Sequence, residues 1–96
     1  MNINPLDVMK QMGVFQEKLS TVSATGSAGG GMVEIDLNGK LEITAVRISQ
    51  EAIEDGDTEM LEDLVMAAFA NGLEKTKEAI GREMGSMAGF NLMGGL

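Results

Sequence analysis

Near the start of the chain, apolar residues recur at close to helical spacing as Leu6, Met9, Met12, Phe15 and Leu19, with Lys10, Gln11, Glu17 and Lys18 off that stripe. Asn4 is a good N-cap. Pro5 suits a first helical position, where its missing N–H would be unpaired anyway, and Asp7 complements the positive helix end. The pattern predicts a helix over residues 5–20. Residues 21–31 are small, polar and rich in Gly, and two readings stand side by side. One is a flexible linker; the other is a short edge strand over Val22–Ser27 followed by a glycine turn.

From Met32 to Leu37 apolar and polar residues alternate, Asn38-Gly39 signals a turn, and strand-like residues resume from Lys40 to Ser49. A two-residue Asn-Gly loop would set each apolar residue opposite a charge. A three-residue loop, Leu37-Asn38-Gly39 with Gly39 left-handed, pairs Asp36 with Lys40, Ile35 with Leu41 and Val33 with Ile43, so it is the preferred register. It leaves Glu34 facing Glu42 on the wet side. The apolar phase slips between Ala45 and Val46, which predicts a bulge or twist there.

A loop around Ala52–Gly56 is expected to lead to a second helix, with Asp57 as N-cap and Glu59, Glu62 and Asp63 in its first turns. Met60, Leu61, Leu64, Val65, Ala68, Phe69 and Leu73 make a broad apolar face suited to a sheet. Beyond Lys75 the stripe narrows to Ala79, Ile80, Met84 and Met87, as for a helix running past the body onto another helix. Gly85 to Leu96 is rich in Gly and Met, carries no charge, and reads as a frayed tail. Both helices are amphipathic, and one small antiparallel sheet cannot cover both; a two-fold dimer would bury the surplus.

At 96 residues there is room for one domain with a modest core. The chain has no Cys and no His, which removes disulfides, thiol chemistry, the usual general base near neutral pH and the commonest metal ligand. That argues against an enzyme, and no cofactor is expected. Met1–Lys10 lacks a basic start followed by an apolar stretch, and no run approaches bilayer length, so the expected address is the cytoplasm. Net charge is −8, but its distribution matters more than its sum. Glu51, Glu54, Asp55, Asp57, Glu59, Glu62 and Asp63 form one block with no base among them, while residues 1–21 and the stretch after residue 63 each sum to zero.

Several motifs are weighed and set aside. Gly29-Gly30-Gly31 lacks the Gly-Lys-Ser/Thr ending of a phosphate loop, and no helix follows it. Asp55, Asp57 and Glu59 alternate as Ca²⁺ ligands might be spaced, but Gly56 falls second after Asp55 and position 66 is Met, which breaks an EF-hand. The nine Met residues are spread along the chain and read as core and interface filling, with Phe90 and Met93 free to meet a partner. Lys10 and Lys18 lie on the exposed side of the first helix, and Lys75 and Arg82 share a face of the second, with Lys77 to the side. The bland reading is solvation with local pairs such as Glu74–Lys77 and Glu78–Arg82. The functional reading is a weak phosphate-tracking surface, doubled in a dimer.

The Gly-rich segment ending in Ala28-Gly29-Gly30-Gly31-Met32-Val33, the strand Glu34-Ile35-Asp36-Leu37-Asn38-Gly39, the strand reaching Ala45-Val46-Arg47-Ile48, and Glu59-Met60-Leu61-Glu62-Asp63-Leu64 together resemble the YbaB/EbfC family of bacterial nucleoid-associated, DNA-binding proteins. So does the segment Lys75 to Met84 with its Gly- and Met-rich continuation. The resemblance implies an α+β, α-β-β-β-α two-layer fold: a three-stranded antiparallel sheet and a long C-terminal helix, with Val22–Ser27 as a strand. It further implies one domain over residues 1–84, a flexible tail over 85–96, and an intimate homodimer with protruding helices. The implied partner is double-stranded DNA in the nucleoid, bound with little sequence preference, with no membrane and no small-molecule substrate. Family contacts on the first and last helices carry over to Lys10, Lys18, Lys75, Lys77 and Arg82. The first helix is sparsely basic for the family, with Gly13-Val14 interrupting a stretch that is often charged or Gln-rich. The rival reading is an acidic protein-interaction module that does not bind DNA directly.

Overall fold

The structure is a computed structural model that describes the backbone of residues 4–95 and the side chains of residues 4–85. Helix α1 spans Pro5–Thr21. Its start is built as the sequence predicts: Asn4 Oδ1 accepts from the Leu6 N–H at 3.0 Å, with Pro5 at the first turn. It has no buried side chain, so its apolar stripe of Leu6, Met9 and Met12 lies open. The segment after it is a strand, β1 (Ser23–Ala28), which settles the choice between strand and linker.

Strands β2 (Val33–Asn38) and β3 (Ile43–Ile48) complete an antiparallel sheet ordered β1-β2-β3. The register expected for the second hairpin does not form. Leu37 faces Ile43, Asp36 faces Ala45, Ile35 faces Val46, Glu34 faces Arg47 and Val33 faces Ile48. The extra residue is Thr44, so the ladder breaks there and not between Ala45 and Val46. The cause is Asn38. Its Oδ1 accepts from the N–H groups of Lys40 (2.9 Å) and Glu42 (3.1 Å), and its backbone N–H donates to the Glu42 carbonyl at 3.0 Å, which closes a wider loop.

Leu41 takes the left-handed conformation in this loop, at φ 63°, where Gly39 had been expected to. Gly39 serves a different purpose. A Cβ there would collide with the Leu19 carbonyl at the end of α1, and the Gly39 N–H donates to the carbonyls of Leu19 (2.9 Å) and Val22 (3.0 Å). A glycine is needed because the two backbones touch.

The expected loop around Ala52–Gly56 contains instead a short helix, α2 (Gln50–Glu54), capped by Ser49 Oγ accepting from the Ala52 N–H at 3.2 Å. It buries Ala52. Helix α3 (Thr58–Gly95) follows, capped as expected by Asp57 Oδ1, which accepts from the Met60 N–H at 3.0 Å. Its backbone continues through the segment read as a tail from Gly85 onward. Met87, Phe90 and Met93 lie outside the described side chains.

The core is small. Val33, Ile35, Leu37 and Ala68 are buried together, flanked by Ala28, Leu61, Leu64 and Val65. Helix α3 packs chiefly on β1 and β2. The approach is closest where Gly72 crosses Gly26: a Cβ on Gly26 would overlap the Ala68 carbonyl and the Gly72 backbone. Beside this contact, Asn71 Oδ1 accepts from the Ser27 N–H at 3.0 Å, and the buried Thr76 hydroxyl donates back to the Gly72 carbonyl at 2.7 Å. Substituting Gly26→Ala should destabilise the protein by about 3 kcal/mol or more through overpacking against backbone. Gly13→Ala, in open space within α1, should stabilise it by about 1 kcal/mol. Urea titrations of both variants at one fixed protein concentration check the pair of signs.

Candidate nucleic-acid interface

The two ends of the sheet differ in charge. At the end where β2 begins, Ser49 N–H donates to the Met32 carbonyl at 2.8 Å, α2 follows directly, and a Cβ on Gly29 would press on Leu64 of α3. All seven carboxylates from Glu51 to Asp63 belong to this end, and all seven residues are exposed. At the other end, Gly39 meets the last turn of α1, and Gly72 of α3 packs against Leu37. Here α1 leads away from the sheet and α3 continues beyond it.

Lys10 and Lys18 on α1, and Lys75, Lys77 and Arg82 on α3, are all exposed. The expected local pairs Glu74–Lys77 and Glu78–Arg82 do not form. Among the described residues the ion pairs are those of Arg47 with Glu34 and Asp36, so these five cations stand unpaired. Helical geometry puts Lys75 and Arg82 nearly in line, about 20° apart around the axis and about 10 Å apart along it. Lys77 falls roughly 200° from Lys75, on the far side of the helix. Lys10 and Lys18 are about 12 Å apart along α1 and turned from one another by about 80°. The structure thus aligns one pair, Lys75 and Arg82, and spreads the other cations around the two helices.

Arg47 is the cation that sequence reasoning passed over. Its guanidinium donates from Nη1 to Asp36 Oδ2 and from Nη2 to Asp36 Oδ1, both at 2.8 Å, and from Nε to Glu34 Oε1 at 3.4 Å. The Thr25 hydroxyl also donates to Asp36 Oδ1, at 2.7 Å. Arg47, and after it Thr25, hold the Asp36 carboxyl down to about 2, and the two carboxylates push the Arg47 guanidinium above its ordinary value. This fork is occupied within the chain, on the sheet face away from α3. Its signal in the sequence was the cross-strand pairing of Glu34 with Arg47, hidden by the wrong hairpin register.

Two open troughs flank α3. One, of about 440 Å³, is lined by Asp57, Glu59, Met60, Asp63, Leu64 and Ala67, and its carboxylates would repel phosphate. The other, of about 470 Å³, is apolar and lined by Ile48, Leu61, Val65 and Met66 with Thr58 and Glu62 at its rim. Gly29, Gly30 and Gly31 take left-handed angles in a turn between strands. Among the described residues there is no group of three or more metal-ligating side chains, and no helix is long and apolar enough to cross a membrane.

The sequence profile of the YbaB/EbfC DNA-binding family matches residues 6–91. The chain belongs to that family. YbaB/EbfC proteins are nucleoid-associated DNA-binding proteins of bacteria, and theirs is not an enzyme family. Nucleoid-associated protein DP1429 of Desulfotalea psychrophila is 45% identical over 83 residues, covering 86% of this chain and 78% of that protein. A nucleoid-associated protein of Syntrophobacter fumaroxidans is 39% identical over 90 residues, covering 90% and 82%. Among solved structures, uncharacterized protein HP0035 from Helicobacter pylori superposes with a TM-score of 0.65 at 28% identity, over 88% of this chain and 99% of that one. The YbaB/EbfC sheet in this chain therefore carries a testable signature. Carboxyl-detected NMR should show Asp36 titrating at about 2, and Arg47→Met should return it toward 3.8. Because the folded value is depressed, the pairing stabilises the fold above the ordinary carboxylate range and is lost as pH falls toward 2.

Proposed function

We propose that this protein is a nucleoid-associated DNA-binding protein that works as a homodimer in the cytoplasm, holding duplex phosphates with little sequence preference and so affecting nucleoid organisation and gene expression. One observation carries the reading: Lys10, Lys18, Lys75, Lys77 and Arg82 are exposed and make no ion pair among the described residues, on helices that extend from the end of the sheet opposite the acidic block. Free cations release condensed counterions when they meet phosphates, and that release drives sequence-independent binding. In this reading phosphate contact and duplex shape carry the interaction, and no side chain is assigned to base edges.

The homodimer is supported by what the single chain leaves undone. Its core is small, α1 buries no side chain, and Leu6, Met9, Met12, Ile43, Val46 and Met66 are exposed. Two copies would present each of the five cations twice. DNA binding resides in residues 1–84, so deleting Gly85–Leu96 leaves affinity unchanged. The rival, an acidic protein-interaction module, draws on the seven carboxylates of residues 51–63 and the net charge of −8.

Fluorescence anisotropy of a labelled mixed-sequence duplex across a salt series decides between them. The expected result is binding whose log affinity falls with log salt by about 0.9 per phosphate engaged. Reversing Lys75→Glu together with Arg82→Glu should cost more than about tenfold and flatten that slope by about 1.8 for each copy that engages the duplex. Unchanged affinity in the double variant removes the site assignment. A folded protein that binds no duplex even at low salt points to the interaction module.

A further inference from the structure

The dipeptide Asn-Gly occurs twice in this chain, at Asn38-Gly39 and at Asn71-Gly72. Glycine has no Cβ to keep its amide nitrogen from approaching the preceding asparagine side chain. That nitrogen can attack the asparagine Cγ. The new C–N bond closes a five-membered succinimide, and the side-chain nitrogen leaves as ammonia, taking the glycine's proton with it. Water then opens the ring at either carbonyl, giving aspartate or isoaspartate. The reaction consumes water alone. Both glycines are buried and restrained in the folded chain, and the restraints differ in kind.

Gly72 lies in the body of α3, where helical geometry directs its N–H to the Ala68 carbonyl, and it packs against Gly26 and Leu37. Asn71 Oδ1 is held by the Ser27 N–H at 3.0 Å. Freeing this pair means parting α3 from the sheet, which is global unfolding. At Asn38-Gly39 the two reacting groups are treated oppositely. Asn38 Oδ1 accepts from the N–H groups of Lys40 (2.9 Å) and Glu42 (3.1 Å). These donors withdraw electron density from Cγ and face the oxygen on which negative charge gathers as the ring closes. The Gly39 nitrogen is held away instead, its N–H shared between the carbonyls of Leu19 (2.9 Å) and Val22 (3.0 Å) at the end of α1. The electrophile is activated while the nucleophile is occupied.

The element that occupies it is weakly attached. Helix α1 has no buried side chain, and of its residues only Phe15 and Leu19 are half-buried. Elements with so few buried contacts open locally, at a free energy well below that of global unfolding. We propose that Asn38-Gly39 is a site of spontaneous succinimide formation gated by the end of α1. It is closed while the Leu19 and Val22 carbonyls hold the Gly39 N–H, and reactive once that end lifts.

The change runs one way. Asn38 Nδ2 now donates to Glu42 Oε1 at 3.0 Å, and aspartate at that position would set a second carboxylate there. Isoaspartate would lengthen the main chain by a methylene group inside the loop that Asn38 closes. Either product weakens the loop against which α1 docks. A copy whose α1 has lifted is therefore marked, and its α1, the helix of Lys10 and Lys18, is left looser than before.

The test incubates the full chain at mildly alkaline pH, digests it, and follows amide loss at Asn38 and Asn71 together by mass spectrometry. In the folded natural chain both should react more slowly than in a sample unfolded by urea, and Asn38 should react faster than Asn71. Leu19→Ala removes the half-buried anchor beside the gate. It should speed the loss at Asn38 about tenfold and leave Asn71 unchanged. Equal rates at Asn38 in the folded and unfolded chain would mean that no gate exists and overturn the proposal. So would a folded Leu19→Ala variant with the Asn38 rate of the natural chain. If Leu19→Ala fails to fold, a urea series on the natural chain decides. Asn38 should quicken at urea concentrations that leave Asn71 protected; if the two quicken together, the whole fold and not α1 is the gate, and the proposal is overturned.

Discussion

Backbone meets backbone where α3 crosses β1, because Gly72 and Gly26 leave no side chain between them. Any Cβ on Gly26 would run into the Ala68 carbonyl and the Gly72 backbone, so the helix can lie this close only with glycine there. The consequences reach across the molecule. With α3 drawn onto β1, Asn71 reaches Ser27 and finishes that edge, Leu37 fills the space beside Gly72, and Thr76 is buried with its hydroxyl turned back to the Gly72 carbonyl. A helix of fixed width drawn to one side of a three-stranded sheet leaves the opposite strand uncovered. The exposure of Ile43, Val46 and Ile48 follows from the packing at Gly26.

The same crossing sets the electrostatic layout. Helix α3 starts beside α2 at the end of the sheet where β2 begins and runs past the end where Gly39 meets α1. Its acidic first turns and the carboxylates of α2 therefore gather at one end, and Lys75, Lys77 and Arg82 are carried to the other. Summed over the chain, the charge of −8 looks hostile to a polyanion. Resolved along the molecule, the excess lies in one block of seven carboxylates at one end, while α1 and the rest of α3 carry equal numbers of cations and carboxylates. Arg47 is kept out of this arrangement by Asp36, Glu34 and Thr25, whose bonds serve the sheet.

Much of this was readable from the residues. Asn4-Pro5 and Asp57 mark both helix starts because capping depends on local side-chain chemistry that a sequence displays directly. The alternation from Val33 to Leu37 marks the central strand for the same reason. The hairpin register was misread because the Asn38-Gly39 pair has a strong local turn preference, whereas here Asn38 organises a wider loop and Gly39 is needed for contact with Leu19, which is distant in sequence. The short helix at Gln50–Glu54 was missed because a single turn has little periodicity to show. Among the candidate cations, their exposure was legible from position on a helix. Their freedom from Glu74 and Glu78 was not, since neighbouring charges at suitable spacing need not choose each other.

We propose that DNA meets the helix cations at the end of the molecule away from the acidic block. This is tested most directly by recording backbone amide NMR spectra while a mixed-sequence duplex is titrated in at low salt. The account predicts shift changes gathered around Lys10, Lys18, Lys75, Lys77 and Arg82, with residues 51–63 left unmoved. Changes centred on residues 51–63, or none anywhere along the chain at saturating duplex, would contradict it.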